Sequence, residues 1–132
     1  MPRRRSLLAL AAALPLGLAA CETAAPAGAY RAVVFFTEDS AALNENGDAI
    51  VKAAADVAKA RPGARVAVLG FAGPAGSRAF NQALSDTRAR HVADHLVEAG
   101  VDRARIDIRP RGPVPFEALP TESRRVEIVI GG

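Results

Sequence analysis

The chain has 132 residues, of which 50% are hydrophobic and 23% are charged, so it has room for one small domain besides its termini. Arg3, Arg4 and Arg5 precede an apolar run over residues 7–18 that contains no acid, a pattern typical of a secretory signal. Without these three arginines the rest of the chain carries 14 basic and 14 acidic side chains, which argues against a basic groove for nucleic acid.

The cysteine behind this leader predicts how the exported chain is held. The string Leu18-Ala19-Ala20-Cys21 resembles the bacterial lipobox, in which the cysteine receives a diacylglyceryl thioether and becomes the first mature residue. A cysteine with two or three acyl chains anchors a protein durably. By the same resemblance, Glu22 favours the outer membrane, with the domain facing the periplasm. The alternative is an ordinary signal peptide cut after Ala20, which leaves Cys21 as a free thiol.

Three parts are predicted along the chain. Residues 1–20 are a lipoprotein signal peptide, whose apolar run of twelve residues is shorter than the about 20 that a membrane-spanning helix needs. Residues 21–29 are the lipidated cysteine and a linker rich in Ala, Pro and Gly. Residues 30–132 are the folded domain, which is long enough to fold without disulfides or a structural metal.

The first half of this domain alternates strand and helix. Residues 30–36 contain a continuous apolar run and predict a strand. Residues 45–60 carry apolar side chains at three- and four-residue spacing and predict an amphipathic helix that Asn44 can cap. Residues 65–70 predict a second strand, and a turn rich in Gly and Pro follows over residues 70–76.

The second half predicts one long helix and two more strands. The helix spans residues 78–99 and ends at Gly100, a favoured residue just past a helix end. Residues 106–109 and 126–130 predict the remaining strands. Between them lies a proline-rich loop with Pro110, Pro113, Pro115 and Pro120. The order predicts an α+β fold, a β-α-β-α-β-β sandwich with two main helices on one face of a mixed four-stranded sheet.

Several short motifs in a fixed order carry a family resemblance. They are Asp39-Ser40-Ala41 with Leu43, the glycine-rich residues 70–76, Asn81, Leu84-Ser85, Arg88-Ala89 and the closing Ser123-Arg124-Arg125-Val126-Glu127. Together they resemble the OmpA-like C-terminal domain, which peptidoglycan-associated lipoproteins and flagellar motor stator proteins share. The resemblance covers residues 33–130. It implies a periplasmic module that binds the peptide stem of peptidoglycan noncovalently at diaminopimelate.

The resemblance also implies which residues bind. Diaminopimelate carries carboxylate and ammonium groups, so a pocket needs a cation and an anion at a fixed separation. Arg88 matches the family arginine that takes the carboxylate, and Arg124 belongs to the closing motif. The acidic residue that faces the ammonium group falls on Gly73, so this anion is missing, and Asp39 is expected to compensate in part. Losing one charge-assisted hydrogen bond predicts binding that is weaker by roughly ten- to a hundredfold.

Simpler structural interpretations stay open for these and other residues. Arg88 can lie along the second helix and pair with a carboxylate, and Asn81 fits local backbone hydrogen bonds before that helix. His91 and His95 share a helix face, but without an evident third ligand a solvated face is favoured over a metal site.

No cofactor and no catalytic activity are expected. The glycines of residues 70–76 have the spacing G-x-x-G-x-x-G, which differs from the nucleotide-binding G-x-G-x-x-G. The chain has no G-x-S-x-G elbow, and its one cysteine is assigned to the lipid. The leading hypothesis is therefore an outer-membrane lipoprotein that links membrane to cell wall. The alternative is the same fold with a degenerate ligand site, which acts as an adaptor for another envelope protein.

Overall fold

The computed structural model describes residues 28–114 and 120–131, which form a four-stranded sheet with two long helices packed against it. In chain order the elements are β1 (Tyr30–Phe35), α1 (Glu45–Ala60), β2 (Val66–Ala72), α2 (Arg78–Glu98), a 3-10 turn (Arg103–Arg105), β3 (Ile106–Pro113), α3 (Pro120–Ser123) and β4 (Arg125–Ile130). The strand order is β1-β4-β2-β3, with β4 antiparallel to both neighbours and β2 parallel to β3. The predicted α+β fold with a mixed sheet is confirmed.

Several sequence predictions lie outside the described residues. They concern the signal peptide, the lipidated Cys21, most of the linker and Pro115. No helix in the described part of the chain is long and apolar enough to cross a membrane.

The hydrophobic core lies between the sheet and the helices. Alternate strand residues face it, because successive side chains of a strand point to opposite faces. The strands contribute Ala32, Val34, Val66, Val68, Val126, Ile128 and Ile130; the helices contribute Val51, Ala54, Ala55, Ala58, Ala89, Val92 and Leu96. The many alanines among the helical residues allow a close approach of helix to sheet.

The helix ends follow the local sequence. The side chain of Asn44 accepts a hydrogen bond from the Gly47 amide at 2.8 Å and caps α1 as predicted. Ser77 caps α2 through the Phe80 amide at 3.3 Å. Gly100 follows α2 with φ of 102°, the left-handed conformation that glycine adopts without steric cost.

The predicted end of the third strand is wrong. β3 continues through Pro110 to Pro113, where a proline-rich loop was expected. Among the described strands β3 pairs with β2 alone, so it lies at an edge of the sheet. An edge strand tolerates proline because one side of it needs no ladder hydrogen bonds. Its register shifts between Gly70 and Phe71 of β2. The sequence patterns also missed the 3-10 turn and α3, which are only three and four residues long.

A glycine brings α2 unusually close to the sheet. A side chain at Gly70 of β2 would collide with the carbonyl oxygen of Ser85 and lie 3.0 Å from the Ala89 side chain. The Ser85 hydroxyl in turn accepts a hydrogen bond from the Gly112 amide of β3 at 3.0 Å. These contacts at Ser85 and Ala89 hold α2 against β2 and β3 on either side of Arg88.

Candidate functional site

A pocket lies beside α2, near the carboxyl ends of β1 and β2. It encloses about 340 Å³, part of which is open to solvent. Its lining consists of Glu38, Asp39, Gly73, Ala75, Asn81, Leu84, Arg88 and Arg124. The fold thus brings together all four residues that sequence analysis named for ligand binding, from four separate stretches of the chain.

Arg88 forms the floor of this pocket and is fully buried. Its guanidinium donates to three backbone carbonyl oxygens: Nε to Ser40 at 2.8 Å, Nη1 to Phe71 at 3.1 Å and Nη2 to Thr37 at 3.1 Å. Arg88 therefore ties the segment after β1 to β2. The interpretation in which Arg88 lies along the second helix and pairs with a carboxylate is wrong, because the side chain is buried and donates to these backbone carbonyls.

The hydrogen-bonding capacity of Arg88 is only partly used by these carbonyls. A guanidinium has five N–H donors. Among the described residues three of them are engaged, so one donor on each terminal nitrogen remains for a ligand. Since the side chain exposes no surface, a ligand reaches these donors only when a neighbouring group moves aside.

The electrostatic surroundings of Arg88 favour an incoming anion. Its pKa is lowered to about 10, mainly by burial and then by the positive charge of Arg124, whereas the negative charge of Asp39 raises it. The guanidinium remains charged at neutral pH. It lies over the ring of Phe36, with its central carbon 5.2 Å from the ring centroid. A ligand carboxylate here would stabilise the charged form.

Arg124 provides a second guanidinium that solvent can reach. It follows α3, and its backbone carbonyl accepts from the Phe36 amide at 2.9 Å, which continues the pairing of β1 with β4. Its Nε donates to the Phe36 carbonyl at 3.1 Å, and Nη2 donates to the Thr121 hydroxyl at 3.2 Å. The neighbouring Ser123 is buried, and its hydroxyl donates to the Pro120 carbonyl at 2.7 Å. Ser123 therefore stabilises α3.

Two acidic side chains, Glu38 and Asp39, stand at the exposed rim. Asp39 has φ of 52°, a left-handed conformation that aspartate tolerates better than most residues. The sequence motifs did not identify Glu38. The signal was available, because Glu38 directly precedes Asp39 in the polar segment after the first strand, and loop residues at the end of a strand often contribute to sites.

Gly73 lies in the same lining and leaves it without a side chain at that point. The left-handed glycines of residues 28–114 and 120–131 are Gly76, Gly100, Gly112 and Gly131. Gly73 is not among them, so its backbone conformation is open to residues with side chains. The backbone does not explain why glycine stands at this position.

Asn81 belongs to the lining through a local structural contact. Its side chain is nearly buried and donates from Nδ2 to the Ala75 carbonyl at 2.7 Å. The backbone N–H of Asn81 donates to the Ser77 carbonyl at 3.0 Å, within the first turn of α2. The side chain thus links the glycine-rich turn to the helix.

The two histidines of α2 have separate partners. His91 is exposed, with Nδ1 2.8 Å from the Ala41 carbonyl oxygen. The expectation that both rings face solvent is wrong for His95, which is half-buried with Nδ1 3.3 Å from Oδ1 of Asp48, because α1 packs beside α2. In the described part of the chain, no three His, Cys, Asp or Glu side chains group as metal ligands do.

Comparison with known proteins points to one family. Residues 35–119 match the sequence pattern of the OmpA family. The chain is 35% identical over 106 residues to the peptidoglycan-associated lipoprotein of Legionella pneumophila, which covers 76% of this chain and 60% of that protein. It is 37% identical over 103 residues to the peptidoglycan-binding protein ArfA of Mycobacterium tuberculosis, which covers 74% of this chain and 32% of that protein. The chain therefore spans less than two-thirds of the length of these relatives.

Solved structures agree with this match. The peptidoglycan-associated lipoprotein from Burkholderia pseudomallei superposes with a TM-score of 0.68 at 25% identity, over 74% of this chain and 88% of that one. The C-terminal domain of Helicobacter pylori MotB superposes with a TM-score of 0.65 at 21% identity, over 75% of this chain and 82% of that one, and shares the fold.

Proposed function

Because this chain belongs to the OmpA family, we propose that it binds peptidoglycan noncovalently and that its pocket holds the peptide stem. The observation that carries this proposal is the convergence of two guanidinium groups and two carboxylates on one pocket. Such a set suits a ligand that carries both charges, as diaminopimelate does. The relatives from Legionella and Mycobacterium are named for peptidoglycan, and their names describe binding rather than catalysis.

In this proposal the basic and the acidic side chains of the pocket bind different groups of the ligand. Arg124 is partly exposed, so a carboxylate of the ligand meets it first. Arg88 then binds the same carboxylate at the floor of the pocket, once the groups that cover its side chain have moved aside. Glu38 and Asp39 face the ammonium group from the rim. The charge of Asp39 acts on Arg88, and Glu38 is the second exposed acid of the same lining.

Gly73 makes this proposed binding weaker. A lining with an acid at position 73 would offer the ammonium group a third carboxylate. Without it, the ligand depends on the two exposed rim acids, whose interaction with an ion is screened by water and salt. We expect affinity lower by roughly ten- to a hundredfold than that of a pocket with this acid.

The membrane attachment is part of the same proposal. The lipobox-like residues 18–21 support lipidation of Cys21, which would place the domain in the periplasm and hold it at the outer membrane. Relatives from Legionella pneumophila and Escherichia coli are named lipoproteins. Mass spectrometry of the membrane-extracted protein tests this step, because an acylated cysteine at the N-terminus adds the mass of its acyl chains.

A second candidate is an adaptor that binds an envelope protein instead of peptidoglycan. Its specific support is Arg88, whose burial and three bonds to backbone carbonyls give it a structural role even without a ligand. For this reason Arg88→Ala alone cannot separate the candidates, since loss of binding would also follow from loss of the fold.

A pull-down of the purified chain on isolated peptidoglycan sacculi distinguishes them. Arg124→Gln should weaken binding about tenfold, because it removes the charge that the ligand meets first. Arg90→Gln is the matched control, since Arg90 is an exposed arginine of α2 that pairs with Asp86 at 2.9 Å. Circular dichroism verifies that both variants fold. Failure of the folded wild-type chain to bind sacculi would contradict peptidoglycan binding and favour the adaptor.

A further inference from the structure

The two edges of the sheet differ in how they resist pairing with another strand. β3 contains Pro110, Gly112 with φ of 76° and Pro113, its register is irregular beside Gly70, and Arg109 and Arg111 are exposed. Prolines, charges and irregularities are the usual protections of an edge. β1 has six residues, YRAVVF, with no proline, no glycine and an unbroken register against β4. The β1 edge carries one charged side chain, Arg31, but it lacks the prolines and the irregular register that protect the β3 edge.

The pairing of β1 with β4 leaves one set of backbone groups directed outward. The Phe36 amide donates to the Arg124 carbonyl, and even-numbered residues of β1 continue this ladder. In an antiparallel pair the bonding direction alternates along the strand. The N–H and C=O groups of Arg31, Val33 and Phe35 therefore point away from β4. Among the described residues no strand pairs with this edge.

We propose that the β1 edge pairs with β1 of a second copy of this chain, antiparallel and with Val33 facing Val33 of the partner subunit. This interface is separate from the pocket and does not depend on what the pocket binds. The outward groups of Arg31, Val33 and Phe35 then form three hydrogen-bonded residue pairs across a two-fold axis. The two sheets become one continuous sheet of eight strands.

The side chains of the edge fit a copy of themselves. In this register Arg31 lies opposite Phe35 of the partner subunit, on the sheet face that the helices leave open. The same face already holds a cross-strand pair of this kind, because Arg125 of β4 stacks on Phe71 of β2 with its guanidinium 4.0 Å from the ring centroid. Phe35 lies beside Arg125 and is 46% exposed. A partner arginine would cover its free side.

The helix face offers a compatible flank. Ile50 and Val57 of α1 are half-buried, and Ala53 lies between them on the same side of the helix. This side is opposite the one that carries Asp48 toward His95 of α2. None of these three side chains is charged. In the proposed pair the two α1 helices bring these apolar side chains toward the two-fold axis.

Charge substitution tests the interface. The chain starting at Glu22 keeps every described element, and sedimentation equilibrium measures its dimerisation. Val33→Lys places two ammonium groups opposite each other at the axis and should weaken the dimer by about tenfold or more. Within one copy the new lysine faces Glu127, so the monomer keeps its fold. Leu69→Lys is the matched control, because it also faces Glu127 but lies on the central strand β2.

The outcomes decide the proposal. A concentration-dependent dimer that Val33→Lys weakens and Leu69→Lys leaves unchanged supports it. A wild-type chain that stays monomeric at millimolar concentration overturns it. Equal weakening by both variants also overturns it, because packing of the open sheet faces would then form the dimer.

Cysteine cross-linking tests the register in the same chain, which lacks Cys21. Opposite residues of a hydrogen-bonded pair have Cα atoms about 5.5 Å apart, which suits a disulfide. Val33→Cys should therefore form a covalent dimer on oxidation. Arg31→Cys and Phe35→Cys should not link alone, but their mixture should. A Val33→Cys chain that stays unlinked where Arg31→Cys links by itself would contradict the register.

Discussion

Nε of Arg88 on α2 donates to the carbonyl oxygen of Ser40 at 2.8 Å, across 48 residues of sequence. The same guanidinium bonds to Thr37, so the segment that carries Glu38 and Asp39 is held at both of its ends by the floor of the pocket. A ligand carboxylate that binds Arg88 would therefore act on the loop that presents the rim acids. The position of Glu38 and Asp39 is therefore linked to ligand binding at the floor of the pocket through the side chain of Arg88.

This double role predicts that Arg88 stabilises the fold. Arg88→Lys should lower the free energy of unfolding by about 2–4 kcal/mol, because one ammonium group cannot reach three carbonyls in different directions and leaves buried acceptors unpaired. Urea unfolding followed by circular dichroism measures the change. Arg90→Lys on the exposed face of α2 should change stability by less than about 0.5 kcal/mol. Equal stability of Arg88→Lys and the wild type would contradict the role of the three hydrogen bonds.

Burial predicts that Arg88 loses its proton at a lower pH than Arg90 does. Its pKa is lowered to about 10, mainly by desolvation, which disfavours the charged form. NMR of the arginine side-chain carbons against pH should show a midpoint near pH 10 for Arg88. Arg90, whose pKa is raised by Asp86, is the internal control that stays charged over the same range.

The same titration reports on ligand binding. A carboxylate that contacts Arg88 stabilises its charged form, so a saturating diaminopimelate peptide should move the midpoint to higher pH. Binding that involves Arg88 should accordingly fall as pH rises through the midpoint. An Arg88 signal that the peptide leaves unchanged, while the chain binds sacculi, would place the carboxylate on Arg124 alone.

Much of the fold could be predicted because local signals decide it. Asn44 caps α1, the spacing of apolar residues forms this helix, and Gly100 follows the end of α2. Each of these signals acts over a few residues, and the structure agrees with all three predictions. The end of β3 could not be predicted. Pro110 breaks a strand by local rules, and only the sheet order shows that this strand lies at an edge where proline is tolerated.

The candidate site was predictable where motif spacing identified it. Asp39, Gly73, Arg88 and Arg124 meet in one pocket as the family resemblance implied, although their roles in binding remain predictions. The burial of Arg88 was not predictable from the helix alone, because it depends on carbonyls from two other segments. His95 shows the same limit, since its partner Asp48 lies on the neighbouring helix.

The close contact of β2 with α2 predicts an intolerant glycine. Gly70→Ala should lower the free energy of unfolding by about 2–4 kcal/mol, because the new methyl group meets the backbone carbonyl of Ser85, which cannot rotate away. Gly63→Ala is the control, as no atom lies within 4 Å of the side chain it adds. Thermal unfolding compares the two. Equal melting temperatures would show that α2 is not held against β2 as closely as described.

Restoring an acid at Gly73 tests the proposed clamp most directly. Gly73→Asp should raise affinity for sacculi by about tenfold, because a carboxylate would return to the lining on a backbone that accepts side chains. Gly63→Asp adds the same charge to a turn outside the pocket lining and should leave binding unchanged.

Glu38→Gln completes this test as a double-mutant cycle. In the wild-type background it should weaken binding about tenfold, because Glu38 is one of the two acids of the pocket lining that we propose to bind the ammonium group. In the Gly73→Asp background the loss should be smaller, since Asp at position 73 then shares the same charge, and the difference measures their coupling. Equal losses in both backgrounds would mean that Glu38 and position 73 contact different parts of the ligand. An unchanged affinity of folded Gly73→Asp would instead argue that the ammonium group binds elsewhere, which would contradict the placement of the anion at this glycine.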